Sequence, residues 1–382
     1  MAIAARDRVA APVGRITLLI PGLAGPPAAG GDPAQAARLL LGDLALPAFA
    51  RLAARADPLT APCHGQTLDE MLFEAFGVAR PVAGDWPAAA VSRHGFEGDA
   101  AGSVWLRADP VYLHPDLGRL LLFPARSLGL TLDESARIAA WLNAHEHAPE
   151  LRLQPATACC WHARVREVPR MVCVAPSLAH GRDADASLPR GPDAGKWHAC
   201  MNELQMLLHR CPVNEERERR GARPVNSVWF WGAGALPPFV PARFDGVFCD
   251  HELARGLAAC AGAPARGAPV DADGLLTACG AGEHLVALDE LELAVRGSEV
   301  ALWVMALQAL ERSWLAPLAG ALARGALLRL DVHAGSGAGF SVTRRSLERW
   351  WRRIAPPARA LAALRHGALA GSREDPSRMP AR

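Results

Sequence analysis

Pro224-Val-Asn-Ser-Val-Trp-Phe-Trp-Gly-Ala-Gly234 begins the part of the chain in which strand patterns alternate with helix patterns. Its apolar run, residues 225–231, stops at glycines, which is typical of a buried strand that leads into a turn. Alternation of strands and helices predicts a mostly parallel sheet flanked by helices. The later strand patterns cover residues 246–249, 300–307 and 327–332, and the helix patterns cover residues 252–260 and 310–324.

An earlier apolar run is assigned to the same sheet. Residues 15–20, Arg-Ile-Thr-Leu-Leu-Ile, have the same buried character and end at Pro21-Gly22. We therefore predict a discontinuous α/β core of residues 13–90 and 223–355, with an inserted α+β subdomain at residues 91–222. Helix patterns at residues 32–55 and 68–76 belong to the core. The polar tail, residues 356–382, is expected to be partly disordered.

The insertion has its own order of elements: two strands, a helix, two more strands and a second helix. The first helix has a well-specified start, because Thr131 and Glu134 have the spacing of a capping box. The expected strands cover residues 104–113, 120–123, 159–167 and 171–177, and the second helix covers residues 193–210.

Composition excludes several classes of protein. In 382 residues, 51% are hydrophobic and 21% are charged, as in a globular chain. The net charge of +2 gives no overall attraction to nucleic acid or to an anionic membrane. The nine cysteines include no C-x-x-C pair, and no apolar run approaches the ~20 residues that span a bilayer. We expect a cytoplasmic protein with no nucleic-acid or membrane partner.

Polar residues are densest between residues 201 and 234. Pro212 ends a helix, and Asn214 is predicted to cap a short charged helix that contains Arg217. That helix has an alternative interpretation as a solvated surface helix, and the tryptophans of the next strand as core. A dinucleotide site is rejected because the third glycine is missing and prolines follow. The candidate ligand-binding residues are Asn214, Arg217, Asn226, Trp231, Gly232 and Gly234.

Metal-ligating pairs are few. Asp331 and His333 are expected to point the same way from one strand, and Asp250 lies next to His251. Two ligands do not make a site, and acidic pairs in loops are more often turn formers. No nucleophile elbow, phosphate-binding loop or zinc-protease motif is present.

Several motifs together resemble a known family. His209-Arg-Cys-Pro-Val-Asn214 and the run 224–234 are similar to the archaeal-type cofactor-independent phosphoglycerate mutases. Together with Trp105-Leu-Arg-Ala-Asp-Pro-Val111 and Asn202-Glu-Leu-Gln-Met-Leu-Leu-His209, they resemble the bacterial RpfE-type regulatory proteins, which are often labelled phosphoglycerate mutase. The resemblance implies an alkaline-phosphatase-like α/β core that is interrupted by a smaller subdomain.

The resemblance also implies chemistry, and this sequence departs from it. In the active mutases, Asp and His residues hold two divalent metals, and a Ser or Thr hydroxyl is transiently phosphorylated. The metal-binding Asp that follows the first strand is replaced by Pro21, and Thr67 is the nearest match to the nucleophile. An Asp-Glu-Ala-Gly-His-like segment is expected after the strand at Val300, where residues 305–311 read Met-Ala-Leu-Gln-Ala-Leu-Glu.

The sequence therefore favours a catalytically degenerate phosphoglycerate-mutase-like protein that acts in binding or regulation, with no cofactor. Its partner would be a small anionic ligand or a protein. One alternative is a working mutase or phosphatase that uses Mn²⁺, Mg²⁺ or Zn²⁺ with unusual ligands. Another is a pure interaction protein in which the polar motif only ties the insertion to the core.

Overall fold

The fold contains two β-sheets with helices around and between them. The computed structural model describes residues 11–26, 44–81, 85–145, 151–238 and 243–366. The strands are β1 (Val13–Leu19), β2 (Val104–Asp116), β3 (Arg119–Pro124), β4 (Leu153–Pro155), β5 (Trp161–Val165), β6 (Ser227–Ala235), β7 (Gly246–Phe248), β8 (Ala265–Arg266), β9 (Glu283–Ala287), β10 (Leu327–Gly335) and β11 (Ala338–Thr343).

The larger sheet is mostly parallel, and β1 lies in its middle. Its strand order is β11-β10-β1-β9-β7-β8, and only β11 is antiparallel to its neighbour. Leu18 of β1 is in register with Val332 on one side and Val286 on the other. Since both faces are covered, β1 is apolar at consecutive positions, as residues 16–20 predict. The predicted class, a largely parallel sheet flanked by helices, is confirmed.

The second sheet is antiparallel and is built on the long strand β2. Strands β3 and β5 pair with one edge of β2, β6 pairs with the other, and β4 pairs with β5. The prediction that residues 225–231 form a strand is confirmed, but their assignment to the parallel sheet is wrong. Strand β6 is buried because helices contact it, so its apolar run could not reveal which sheet holds it.

The helices are α1 (Pro47–Arg55), α2 (Leu68–Ala75), α3 (Ala88–Glu97), α4 (Leu132–Asn143), α5 (Pro176–Ala179), α6 (Ala194–His209), α7 (Pro212–Arg219), α8 (Glu252–Ala261), α9 (Ala272–Ala278), α10 (Glu290–Arg296), α11 (Val300–Leu310), α12 (Ala316–Arg324), α13 (Arg344–Leu347) and α14 (Pro357–Arg365). Helices α1, α11, α12 and α14 share one apolar cluster with one face of the parallel sheet. A second cluster joins α2, α3 and α8 to the antiparallel sheet. This second cluster brings the two sheets together around the candidate site.

Two predictions about the parallel sheet are wrong. Residues 300–307 form part of helix α11 and not a strand, and the buried side chains Trp303, Leu307 and Leu310 follow helical spacing. Strand β9 was not predicted, because Glu283 and His284 make two of its five residues polar and leave only a short apolar run. This strand lies between β1 and β7, in the middle of the sheet.

Other predictions meet mixed outcomes. The capping box at Thr131 and Glu134 is confirmed. Residues 171–177 form an isolated bridge and the start of α5 instead of a strand. The segment predicted as a polar tail contains α14, whose Leu361 and Leu364 are buried. Residues 367–382 of that segment lie outside the described part of the chain. Residues 32–43 of the predicted first helix also lie outside it. Within the described ranges, every helix is too short or too polar to cross a membrane.

Candidate functional site

The candidate site lies where the parallel strands β7 and β9 end and face the antiparallel sheet. The carboxyl ends of parallel strands are the usual place for ligands in such folds. His251 and Glu252 follow β7 at the start of α8, and Asp289 follows β9. Asp69 lies in the first turn of α2, and Arg126 reaches in from the turn after β3. We call these five residues the Arg126 cluster.

Arg126 holds the cluster together. Its Nη2 donates to Oε2 of Glu252 at 2.8 Å, and its Nη1 donates to Oδ2 of Asp289 at 2.9 Å. His251 Nε2 lies 3.5 Å from Oδ1 of Asp69, which has no hydrogen-bond partner although it is buried. One guanidinium therefore joins carboxylates from two neighbouring strand ends to the antiparallel sheet.

The charges of the cluster stabilise each other. Burial raises the pKa of Glu252, but its electrostatic interactions with Arg126, His251 and Arg107 outweigh burial and lower that pKa to about 2. Glu252 also accepts a hydrogen bond from the Thr157 hydroxyl at 3.2 Å. Glu252 is therefore ionised across the physiological pH range.

A second buried ion pair lies beside the cluster on β2. Asp109 accepts two bonds from Arg107, at 3.0 and 2.9 Å, one from the Trp161 amide at 3.0 Å and one from Trp231 Nε1 at 2.7 Å. The Arg107 guanidinium also lies 5.1 Å from the centre of the Trp231 ring. The Asp109 carboxylate is thus fully occupied by protein donors, as a buried charge requires.

Both groups line one small cavity. It has a volume of about 70 Å³ and is bordered by Asp69, Arg126, Trp231, His251 and Leu293, among others. Such a volume has room for a few water molecules only. A larger cavity, about 690 Å³, opens elsewhere between the end of β5 and α6, and its lining includes Arg164, Lys196 and Trp197.

A buried carboxylate from α10, that of Glu292, lies at the start of α2. Oε2 of Glu292 accepts from the Leu68 amide at 3.2 Å, and its Oε1 is buried without a hydrogen-bond partner. Burial raises the pKa of Glu292 to about 8. Thr67, the candidate nucleophile, is fully buried and caps α2 by accepting from the Glu70 amide at 3.3 Å. The hydroxyl of Thr67 thus has a structural bond in this structure.

The polar motif binds the protein's own backbone. Asn214 is buried, and its side chain forms hydrogen bonds with the carbonyl of Leu208 and with the carbonyl and amide of Val225. The Asn226 side chain forms hydrogen bonds with the amide and the carbonyl of Leu113. Asn214 lies inside α7 and does not cap it, because Pro212 already starts that helix. Arg217 is fully buried and donates to Glu134 at 2.8 Å and to the carbonyl of Leu128 at 2.6 Å.

The glycines of the motif allow close packing. A Cβ atom on Gly232, whose φ is +62°, would lie 2.9 Å from Cβ of Ala88, and one on Gly234 would lie 2.7 Å from Cβ of Pro87. Both glycines therefore let α3 approach β6. Of the six predicted ligand-binding residues, Trp231 alone borders the small cavity of the Arg126 cluster.

The four predicted metal ligands have separate contacts. Asp331 accepts a hydrogen bond from Arg329 Nε at 2.8 Å, and its carboxylate lies 3.5 Å from Arg15 Nε. His333 Nδ1 accepts a hydrogen bond from the Cys63 amide at 3.2 Å. Asp250 accepts from the Ala268 amide at 3.2 Å, and His251 belongs to the Arg126 cluster. No three His, Cys, Asp or Glu side chains of the described residues converge as a metal site would require.

Sequence reasoning missed most of the Arg126 cluster. Arg126 lies in a three-residue turn without a motif, and its partners are 126 and 163 positions away in sequence. Asp289 was missed together with β9. The only available signal was the acidic run Asp289-Glu290-Leu291-Glu292, which follows an apolar stretch as strand-end ligands do.

Comparison with known proteins finds relatives over part of the chain. Over 140 residues, 35% of either chain, it is 30% identical to the 2,3-bisphosphoglycerate-independent phosphoglycerate mutase of Methanothrix thermoacetophila. Segments of 95 and 97 residues are 30% and 32% identical to the Methanosarcina mazei enzyme of that name and to a probable one from Geobacter sulfurreducens. The last two matches span 24% of either chain. The chain thus matches about a third or less of the length of these relatives.

Two solved structures are also similar. A cofactor-independent phosphoglycerate mutase from Thermoplasma acidophilum is 14% identical, with a TM-score of 0.42 over 93% of this chain and 100% of that one. A Pyrococcus horikoshii protein is 11% identical, with a TM-score of 0.48 over 86% of either chain. No family model matches. Part of the chain is homologous to archaeal-type cofactor-independent phosphoglycerate mutases, at low identity.

Proposed function

We propose that this chain is a phosphoglycerate-mutase-like protein that has lost the two-metal phosphoryl-transfer site and acts in binding or regulation. Homology to the mutases supports the scaffold. The resemblance to RpfE-type regulatory proteins supports the regulatory role. The observation that carries the loss of metal chemistry is the set of side chains at the carboxyl ends of the parallel strands.

The end of β1 offers no ligand. The resemblance implies an Asp in the turn after the first strand, and this turn contains Pro21, which has no donor atom for a metal. Gly22, at φ +83°, completes the turn and packs against the backbone of Leu291. Helix α10 is therefore too close to leave room for a side chain at Gly22.

The end of β9 offers two of the five expected residues. Because β9 is the strand that precedes them, we match the segment Asp-Glu-Ala-Gly-His with Asp289-Glu290-Leu291-Glu292-Leu293, and not with residues 305–311, which lie in α11 and at the start of the π-helix that follows it. The imidazole position is thus Leu293, which cannot bind a metal. The remaining carboxylate, Asp289, is paired with Arg126.

The polar side chains within β10 also have partners. Asp331 is paired with Arg329 and Arg15, and the Nδ1 lone pair of His333 already accepts the Cys63 amide hydrogen. Mg²⁺ and Mn²⁺ need several free oxygen donors, and Zn²⁺ needs about four ligands in all. The residues present do not fit two divalent metals, so we propose no cofactor and derive no reaction step through one.

The binding role is proposed for a small anionic ligand or a protein partner in the cytoplasm. The cavity of about 690 Å³ has room for a small molecule. Its lining contains the cations Arg164, Arg166 and Lys196 and the carboxylates of Glu167 and Asp193, so cations are in slight excess, which would favour an anion. The cavity of the Arg126 cluster is too small for one. If the working-enzyme alternative were correct, that small cavity would have to open.

The test measures metal content and turnover on one purified sample. Conversion of 3-phosphoglycerate and hydrolysis of p-nitrophenyl phosphate are assayed with Mn²⁺, Mg²⁺ and Zn²⁺ in turn. We expect a folded protein without turnover. Metal-dependent turnover that is lost in Asp331→Ala but kept in Asp273→Ala, a change at an exposed residue in the first turn of α9, would overturn the proposal and favour the working enzyme.

A further inference from the structure

Arg126 bridges the two sheets at the point where the carboxylates gather. It comes from the turn Ala125–Ser127 after β3, and its guanidinium ends on Glu252 and Asp289 of the parallel-sheet side. Its side chain is 30% exposed, whereas that of Glu252 is 9% exposed. The cation therefore lies between a buried carboxylate and a half-buried one.

The charge balance of the cluster depends on this cation. Asp69, Glu252 and Asp289 bring three carboxylates, and a guanidinium stays charged at every pH a protein tolerates. Asp69 Oδ1 is buried without a hydrogen-bond donor. The Arg107–Asp109 pair next to it is balanced within itself. Without Arg126, Glu252 and Asp289 would both lose the cation that they bond, and leaving the buried charge of Glu252 without this partner is costly.

The same cation obstructs a divalent metal in two ways. Its N–H groups occupy Oε2 of Glu252 and Oδ2 of Asp289, which are oxygens that a metal would need at about 2.0–2.6 Å. Its charge also repels a second cation at short range, where the low dielectric makes repulsion strong.

We infer that Arg126 is a built-in cation that takes the place of a divalent metal in this cluster. The carboxylates are retained, and the guanidinium keeps metal out. This inference rests on the proposed loss of the two-metal site and names the residue that maintains it. Replacing Arg126 by a neutral residue should free the carboxylates of Glu252 and Asp289 to bind one hard divalent cation, with water completing its coordination.

The experiment measures Mn²⁺ binding by calorimetry and by the electron paramagnetic resonance of free Mn²⁺. Arg126→Met keeps an unbranched apolar stem and removes the charge, and Arg126→Lys keeps the charge. We expect Arg126→Met to bind one Mn²⁺ at least about tenfold more tightly than wild type, and Arg126→Lys to remain like wild type. Asp289→Asn added to Arg126→Met should abolish the gained binding.

Arg137→Met is the matched control. Arg137 also bridges two carboxylates, Glu216 at 2.8 Å and Asp133 at 3.7 Å, but it is exposed at the surface. Its loss should not create a Mn²⁺ site. If Arg126→Met is unstable, Mn²⁺ should raise its melting temperature and leave that of wild type unchanged. An unstable variant that Mn²⁺ does not stabilise would count against the inference.

Two further results would overturn it. One is wild-type protein that already binds Mn²⁺ as tightly as Arg126→Met, and the other is a folded Arg126→Met that gains no affinity. These failures are distinct from failure of the proposed function, which is decided by turnover of the wild-type protein. If wild-type protein is inactive and Arg126→Met binds no Mn²⁺, the inferred role of Arg126 is wrong, but the proposed function is not contradicted.

Discussion

At the scale of single residues, the buried carboxylate of Glu292 makes stability depend on pH. Burial raises its pKa to about 8, whereas a Glu in the unfolded chain titrates near ~4.3. Between these values, the folded state holds a proton that the unfolded state has released. Stability is therefore fully present below about pH 4 and falls as pH rises toward 8.

Glu292→Gln should remove this dependence. The amide oxygen can still accept from Leu68, and no charge has to be buried. We expect the variant to gain roughly 2 kcal/mol or more over wild type at pH 8 and much less at pH 5. Urea unfolding at the two pH values checks this, with the exposed Glu299→Gln as the control. An equal effect at both pH values would show that Glu292 does not titrate in this range.

Residue roles were the least predictable part of the sequence. The dense polar motif predicts that Asn214, Arg217 and Asn226 bind a ligand, because clustered polar side chains are typical of a site. Their placement instead satisfies buried backbone groups and one buried carboxylate, Glu134. A sequence shows that a residue is polar, but not whether its partner is a ligand or a backbone group.

At the scale of elements, helices α3 and α8 cross through two glycines, and the crossing fixes the position of the Arg126 cluster. A Cβ on Gly256 would lie 2.1 Å from the carbonyl oxygen of Val91, and one on Gly95 would lie 2.7 Å from Cα of Gly256. Helix α8 begins with Glu252, so the packing of α8 against α3 determines where the Glu252 carboxylate lies.

Gly256→Ala should therefore destabilise the protein, although alanine is the better helix former. We expect a loss of roughly 2 kcal/mol, because overpacking against backbone exceeds the gain in helix propensity. Gly195→Ala in α6 is the matched control, since a Cβ there meets nothing within 4 Å, and it should be neutral or stabilising. Thermal and urea unfolding of both variants test this, and equal stability of the two would contradict the tight crossing.

Elements were predictable where local signals are strong. The capping box starts α4 at the expected residue, and the helix at residues 193–210 is present as α6. The strand predicted at residues 300–307 failed because a short apolar run does not distinguish a buried strand from a buried helix. Strand β9 was missed because strand partners supply part of its stability, and partners are not visible in a single sequence.

At the scale of the whole molecule, the class of fold was predictable from the alternation of elements, but the division into domains is still a prediction. The expected bounds place residues 91–222 in an insertion, yet β6, at Ser227–Ala235, pairs with β2 from Val104 to Val111. One apolar cluster also contains Leu106 of β2, Val228 of β6 and Leu285 of β9. The two sheets thus share a core, and that core contains residues from inside and outside the predicted insertion.

This shared core predicts that a fragment of residues 91–222 does not fold on its own. The fragment lacks β6, so one edge of β2 is unpaired, and it lacks the first residues of α3 that pack on β6. The full chain should unfold in one transition in which tryptophan fluorescence and far-ultraviolet circular dichroism coincide. A longer fragment, residues 85–238, restores β6 and α3 and should gain ordered near-ultraviolet signal over the shorter one. Cooperative unfolding of the 91–222 fragment would instead show that β2, β3, β4 and β5 form a stable sheet without β6. The insertion would then be an independent domain within its predicted bounds.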